Sequence, residues 1–183
     1  MAEYYFISQL PSLDAISDNT PLPITQERFL ELCSRFLGKK ALREIEHLTL
    51  VPTLDIEKSN SALISAWNDN ERNLRLALAK ARAEKMNKQF DLHSNNFSFE
   101  LLKVANAAVE IQNPLEAENF LLCYRLTVLE SLRPMDTFAD DFIFYYGLKL
   151  KLILRIKQFD TKIGEATYKN IYNSILYGDR LEA

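Results

Sequence analysis

Apolar side chains recur at helical spacing along most of the chain, and the longest such stretch covers residues 61 to about 88. It contains neither glycine nor proline and is rich in alanine, leucine, arginine and lysine. Within it, Trp67, Leu74, Leu78 and Ala81 fall within about one-sixth of a turn of each other on a helix of 3.6 residues per turn. This spacing, without a helix breaker over such a length, predicts a long amphipathic helix.

Capping residues, glycines and prolines divide the rest of the chain into similar units. Thr25 and Asn113 stand where helix N-caps are expected, and Pro114 follows Asn113 at the first helical position. The sequence therefore predicts an all-α protein, a single helical domain over residues 1–183 with about seven helices. They run from Thr25 to about Leu37, Lys39 to about Leu48, Ser61 to about Lys88, Phe97 to Ile111, Asn113 to about Leu132, Asp141 to Lys157 and Gly164 to Tyr177.

The N-terminal residues follow a different pattern. Tyr4–Leu10 is aromatic and apolar and is bounded by Pro11, which predicts a short extended segment, and residues 11–24 have the composition of a loop. Leu48–Ile56, interrupted by Pro52, is too short to classify. A minor two-stranded β fringe, formed by Tyr4–Ile7 and Leu48–Val51, is left open by these patterns.

Residues Asp141–Lys157 carry apolar side chains on two sides of a helix. One stripe holds Phe142, Tyr146, Leu150 and Ile153, and the opposite one holds Tyr145, Leu148, Leu152 and Ile156. A helix with one wet face needs only one apolar stripe, so this one is predicted to be the central helix of a bundle or to await a partner. The cations in its second half argue against a membrane span, since each costs about 3 kcal/mol at the bilayer centre.

Composition agrees with a helical protein and narrows the classes of function. Only four glycines and six prolines occur, and the net charge of −3 gives no electrostatic reason to bind nucleic acid. No apolar run is long enough to span a bilayer, and the N-terminus lacks the basic residues of a signal peptide. Cys33 and Cys123 form no motif and are expected to be buried free thiols, with a disulfide between them as the alternative. The cytoplasm is the expected location.

No catalytic, cofactor or metal site is predicted. Only two histidines are present, and His47 is expected on a helix surface or at a helix C-terminus. Asp91 and His93 offer two metal ligands without a third nearby at helical spacing. The isolated glycines do not form a phosphate cradle. An enzyme is therefore not indicated.

Charge is segregated along the chain. Cations outnumber acids between residues 71 and 88, whereas acids outnumber cations between residues 110 and 141. Such complementary faces could meet inside one bundle or between subunits, and the sequence leaves both arrangements open. Arg72, Arg75 and Arg82 form a strip beside the Trp67 seam, which is either a solvated face or a partner-facing surface. Leu76 points away from that seam and slightly favours the second interpretation.

Two sequence blocks resemble known families. Tyr4-Tyr-Phe-Ile-Ser-Gln-Leu-Pro11, taken with Tyr146-Gly-Leu-Lys-Leu-Lys-Leu-Ile-Leu-Arg155, Phe159-Asp and Gly164, resembles an uncharacterised bacterial family. Its members are encoded beside V-type ATP synthase genes in groups such as Bacteroidetes and spirochaetes. Glu71-Arg-Asn-Leu-Arg75 followed by Lys80-Ala-Arg82-Ala is similar to a helix in the C-type subunit of V/A-type ATP synthases, which carries an acid-x-Asn-Leu…Arg-Ala-Lys pattern.

That C-type subunit, called the socket subunit below, is an all-helical funnel that joins the central stalk to the membrane rotor ring and catalyses nothing. The resemblance implies a non-enzymatic component of such a complex that is similar to the socket subunit. It would be cytoplasmic or peripheral to the membrane, with the central stalk and the rotor ring as partners. A free-standing helical adaptor or assembly factor is the alternative. The predicted partner-contact residues are Arg72, Arg75, Leu76, Arg82, Lys149, Lys151 and Arg155.

Overall fold

A computed structural model describes residues 2–14, 22–52, 61–89, 98–158 and 161–178, and every regular element in these ranges is an α-helix. The all-α prediction is thereby confirmed, with eight helices in the described residues. That residues 1–183 form one domain stays a prediction. The helices are α1 (Ala2–Gln9), α2 (Gln26–Phe36), α3 (Lys39–Glu46), α4 (Ala62–Lys85), α5 (Phe99–Glu110), α6 (Pro114–Ser131), α7 (Asp140–Gln158) and α8 (Thr161–Gly178).

Side-chain caps define where several helices begin. The Thr25 hydroxyl accepts a hydrogen bond from the backbone N–H of Arg28 at 3.2 Å, and the Asn113 carbonyl oxygen accepts one from Leu115 at 3.0 Å. Ser61 caps α4 in the same way, with the N–H of Ile64 at 3.1 Å. Each cap satisfies a backbone donor that has no partner within its own helix. The predicted N-caps Thr25 and Asn113 are therefore confirmed.

The prediction of an extended segment at Tyr4–Leu10 is wrong, because Ala2–Gln9 forms α1. Phe6 is fully buried and its ring stacks on Phe36 of α2, with 5.5 Å between the ring centroids. Aromatic residues favour strands only weakly, and packing against a neighbouring helix overrides that preference. No strand occurs in the described ranges, and Leu48–Val51 is irregular there, so those ranges contain no β fringe. Residues 53–56 lie outside the described residues.

Helix α7 lies at the centre of the packed helices and contacts α2, α3, α4 and α6. Ten of its residues are buried, among them every position from Ile143 to Leu150. The prediction of a central helix covered on two sides is confirmed. Gly147 marks its closest approach to its neighbours, since a Cβ there would lie 3.2 Å from Leu48 Cδ2 and 3.3 Å from Phe29 Cε1.

The buried apolar residues form two clusters. The α7 cluster joins α7 to α1, α2, α3 and the first turns of α4, where the side chain of Trp67 is 1% exposed. The α5 cluster joins the second half of α4 to α5 and α6 through Leu74, Ala105 and Leu121. Helices α4 and α6 contribute to both clusters and therefore connect them.

Helix α8 contrasts with the other helices because every side chain described in it, from residue 164 to 176, is exposed. Its apolar residues nevertheless keep helical spacing. They are Tyr168, Ile171, Tyr172, Ile175 and Leu176, between 47% and 67% exposed, and we call them the α8 face. The α8 face is the kind of stripe that normally packs against another element.

Candidate interaction surface

The arginine strip predicted on α4 is present, but its members have different surroundings. Arg72 lies 3.4 Å from Asp69, and Arg75 Nε donates a 2.9 Å hydrogen bond to Glu71; both pairs lie within α4. Leu76 is half-buried. The Arg72–Asp69 pair is largely exposed to solvent and contributes only about 0.3–0.5 kcal/mol, whereas the carboxylate of Glu71 is buried. The first part of the strip is thus an internally paired helix surface.

Glu71 differs from the other charged residues of α4 because it is only 3% exposed. Its carboxylate accepts hydrogen bonds from Arg125 of α6, at 2.9 Å from Nε and 3.0 Å from Nη2. This two-pronged geometry matches the planar fork of a guanidinium to both carboxylate oxygens. With Arg75 on its other side, Glu71 couples α4 to α6 at a point between the α7 cluster and the α5 cluster.

The same cluster of charges extends to α7. Arg155 donates from Nε and Nη2 to one oxygen of Glu118 at 3.0 and 2.9 Å, and Arg125 Nη1 lies 3.8 Å from that oxygen. Arg75, Glu71, Arg125, Glu118 and Arg155 therefore form a continuous chain across α4, α6 and α7. Arg155, one of the predicted contact residues, holds α7 to α6 in this structure.

Lys149 of α7, one of the predicted partner-contact residues, is engaged inside the protein. It is 7% exposed, and its ammonium donates to Glu130 at 2.6 Å and also to Asp14. Burial alone lowers the pKa of Lys149, but the hydrogen bonds to Asp14 and Glu130 outweigh it and raise that pKa above its usual value. The two carboxylates compensate the cost of removing the Lys149 ammonium from water. The side chain therefore makes contacts within the protein.

Lys151 is also engaged internally. Its ammonium donates a 2.6 Å hydrogen bond to the backbone carbonyl of Leu48, just after α3, and burial lowers the pKa of Lys151. The basic half of α7 thus ties together segments distant in sequence. In this structure Lys149 and Lys151, although predicted as contact residues, both serve contacts within the protein.

Groups suited to nucleophilic or metal chemistry are not assembled in the described residues. His47 is the exposed C-cap of α3, as predicted, whereas Asp91 and His93 lie outside the described ranges. No three His, Cys, Asp or Glu side chains of the described residues converge on a metal-sized site. Cys33 is buried, as expected, and burial raises its pKa to about 12.

The other thiol departs from its prediction. Cys123 is exposed on α6, and it forms no disulfide with Cys33 because both thiols are free. A position on the outer side of α6 explains the exposure, since Leu121 and Leu122 occupy the buried side.

The charge chain around Glu71 and the α8 face were both missed in the sequence, for different reasons. The charge segregation pointed to the majority charges of each segment, yet the pair that joins α4 to α6 consists of minority charges, Glu71 and Arg125. The available signal was local: Glu71 interrupts the Trp67–Leu74 seam, and Arg125 stands between Leu122 and Leu129 on an apolar stripe. An isolated charge on an apolar stripe predicts a buried partner of opposite sign.

The spacing of the α8 face was visible in the sequence, but its exposure was not. A regular apolar stripe indicates a helix without saying whether the chain itself covers it. None of the helices in the described ranges combines the length and the apolarity that a bilayer crossing requires. Comparisons with protein-family models, with curated proteins and with solved structures found no match to this chain.

Proposed function

We propose that this protein is a non-enzymatic component of a V-type ATP synthase, similar to the socket subunit, that couples the central stalk to the membrane rotor by protein–protein contacts. The resemblance of the Tyr4–Pro11 and Tyr146–Arg155 blocks supports the identity of the complex. The observation that supports a contact function is the α8 face, an ordered apolar stripe without cover from the described part of the chain.

The α8 face has the properties of a binding surface. Burying a large apolar side chain is worth about 1.5–3 kcal/mol, so five such residues along one helix represent a substantial driving force for association. Tyr168 and Tyr172 stack with their ring centroids 6.0 Å apart and present a wide aromatic surface. Tyrosines are enriched in protein interfaces because they combine apolar area with a polar tip.

The two blocks that carry the resemblance also meet in space. The Tyr146 hydroxyl donates a 2.9 Å hydrogen bond to the backbone carbonyl of Pro11, so the start of the chain is fastened to the middle of α7. Phe6 of the first block and Leu148 and Leu150 of the second belong to the α7 cluster. In the proposed function, the helices that share the α7 cluster provide a rigid support, and the α8 face and exposed arginines provide the contacts with partners.

Affinity capture from the native host tests this proposal. The tagged protein is expected to recover central-stalk or rotor proteins, since the proposed location is the cytoplasmic side, peripheral to the membrane through the complex. Replacing Ile171 and Ile175 with Asp should remove this recovery by placing charge on the α8 face. The exposed Lys103 of α5 changed to Glu is the matched control, and recovery should persist. A capture without any ATP synthase component contradicts the proposal.

A free-standing helical adaptor or assembly factor is the second candidate, and the α8 face supports it equally. The two functions differ in how long the protein stays bound. A permanent component should co-migrate with the intact ATP synthase in native gels at constant stoichiometry, whereas an assembly factor should appear only with incomplete complexes. Co-migration with the intact complex would therefore remove the second candidate.

A further inference from the structure

A groove of about 340 Å³ opens between the second half of α4, the end of α5 and the start of α6. Its walls are largely apolar and include Leu78, Val109 and Leu121, which belong to the α5 cluster or pack against it. The small residues Ala108 and Ala117 also line it. No residue of the charge chain that runs from Arg75 to Arg155 lines it.

The charged residues that line the groove are both cations, Arg82 and Lys85. Lys85 has a partner inside the protein, since its ammonium donates a 2.6 Å hydrogen bond to the carbonyl of Val109 near the end of α5. Arg82 is exposed and makes no ion pair or side-chain hydrogen bond with the described residues. Arg72 and Arg75 of the same strip both have carboxylate partners. A planar guanidinium without a carboxylate beside an apolar groove is suited to bind one from another molecule.

The edge of the groove is also apolar and adaptable. Met86, the C-cap residue of α4, lines the groove and is 59% exposed. Methionine is unbranched and polarisable, so it adjusts to the shape of an incoming side chain. An exposed methionine next to an apolar groove recurs in surfaces that accept amphipathic helices.

We propose that this groove binds an acidic amphipathic helix of a partner protein. Apolar side chains one turn apart on that helix enter the groove, since residues i and i+4 share a face, and a flanking carboxylate pairs with both arms of the Arg82 guanidinium. The acidic character of this partner is inferred from the charge of the groove, whose charged lining residues are both cations. It rests on the proposed function only in requiring that the protein act by protein contacts.

Two synthetic helical peptides of about five turns test the groove. One carries a leucine stripe flanked by glutamates, and its twin carries lysines in place of the glutamates. The chain has three methionines, so methyl-labelled methionine gives few NMR signals. Met86 reports on the groove, while the fully exposed Met135, outside the groove, is an internal control. The glutamate peptide should shift the Met86 signal saturably and leave Met135 unchanged.

Charge reversal supplies the decisive variant. Arg82→Glu should weaken binding of the glutamate peptide about tenfold, which corresponds to about 1.4 kcal/mol, and should strengthen binding of the lysine peptide. Arg72→Glu, on the same helix but outside the groove, should leave both affinities within about twofold. Arg82 is exposed, so its replacement should not disturb folding. Arg82→Lys keeps the charge but loses the planar fork, so it should weaken binding of the glutamate peptide, though less than Arg82→Glu does.

The inference is overturned if both peptides bind equally, if Arg82→Glu has no effect, or if neither peptide shifts Met86 at millimolar concentration. A Met86 shift that depends on protein concentration without peptide would instead assign the groove to a second copy of this chain and would also contradict it. None of these results depends on capture of ATP synthase proteins, so the groove and the proposed function can fail separately.

Discussion

Helices α7 and α8 have similar lengths, 19 and 18 residues, and both carry ordered apolar stripes, yet they have opposite environments. The side chains of α7 are buried continuously from Ile143 to Leu150, whereas every described side chain of α8 is exposed. The difference lies in what surrounds each stripe. Helix α7 has four neighbouring helices, and α8 has no extensive contact with another described helix.

This comparison shows that apolar content and the number of neighbours are separate properties. Helix α7 is covered on two sides and packs against α2, α3, α4 and α6. Helix α8 has the single stripe of an ordinary surface helix, but the described part of the chain leaves that stripe exposed. In physical terms, α7 contributes to the stability of the isolated protein, and α8 carries apolar surface available for binding.

The largest expected difference concerns large-to-small substitution. Leu148→Ala removes methyl groups from a site with no solvent exposure and should lower the free energy of unfolding by about 2–5 kcal/mol. Ile171→Ala on α8 should change it by less than about 0.5 kcal/mol, because Ile171 is 54% exposed. Urea titration followed by fluorescence of Trp67, the only tryptophan, measures both. Equal effects would show that α8 is packed in solution.

The second expected difference concerns Glu71, whose buried carboxylate joins α4 to α6. Glu71→Gln removes the negative charge that faces Arg125, whose side chain is only 12% exposed. It should lower the free energy of unfolding by about 2–3 kcal/mol. The matched change Glu165→Gln on exposed α8 should be close to neutral. A double-mutant cycle with Glu71→Leu and Arg125→Leu tests the pair directly. The double variant should lose less unfolding free energy than the sum of the two single variants. Additive losses in that cycle would argue against the coupling.

Gly147 of α7 and Gly164 of α8 allow the same substitution to be compared in the two helices. Gly147→Leu places a large side chain where Leu48 and Phe29 already lie close, and overpacking should destabilise the protein by about 1–3 kcal/mol. Gly164→Leu meets nothing within 4 Å and should instead raise the helicity of α8, since glycine is about 1 kcal/mol less favourable than good helix formers. Thermal unfolding and far-UV circular dichroism measure the two effects. Destabilisation by Gly164→Leu would reveal a hidden contact of α8.

The smallest expected effect is the pH dependence around Lys149. The hydrogen bond from Lys149 lowers the pKa of Asp14. Burial alone would raise the pKa of Glu130, but its hydrogen bond from Lys149 helps to outweigh burial, so that pKa is also lowered. Both acids bind protons more readily when unfolded, with unfolded pKa values of about 3.9 and 4.3. Their stabilising contribution is therefore full above these values and is lost as the pH falls through the lowered folded values.

Asp14→Asn should remove part of this acid sensitivity. The effect is expected to stay below about 1 kcal/mol, because the Asp14 side chain is 61% exposed and solvent screens the pair. Unfolding free energies measured between about pH 6 and pH 3 should converge for the variant and the unmodified protein at the acid end, where the unfolded carboxyl is protonated. The exposed Lys169→Met on α8 is the control and should leave the pH profile unchanged. A constant offset across this range would contradict the assigned linkage.

The helices could be predicted from sequence where period and boundary signals agree. Thr25, Asn113 and Pro114 set helix starts, and the double stripe of α7 predicted its burial on two sides. Helix α1 could not be predicted in this way, because its conformation depends on the contact of Phe6 with Phe36, which are far apart in sequence. Local preference alone assigned that segment to an extended conformation.

The candidate interaction surface was harder to predict from the sequence than the helices were. The strip on α4 was visible in the sequence, but the partner of each arginine depends on the fold. Asp69 pairs with Arg72 and Glu71 pairs with Arg75, whereas Arg82 has no carboxylate partner among the described residues. Lys149 shows the same limit, since nothing in the spacing of α7 reveals that Asp14 and Glu130 converge on its ammonium. The exposure of the α8 face likewise depends on the positions of other helices, which periodicity does not encode.

Site-specific photo-crosslinking in the native host tests the proposed contact function most directly. A photoreactive residue at Ile175 of α8, which is 66% exposed, should crosslink to a central-stalk or rotor protein of the ATP synthase. The same residue at Phe99 of α5, which is 81% exposed, is the control for surface accessibility alone and should give no such product. Products at Ile175 without any ATP synthase component, or equal products at both positions, would contradict the account.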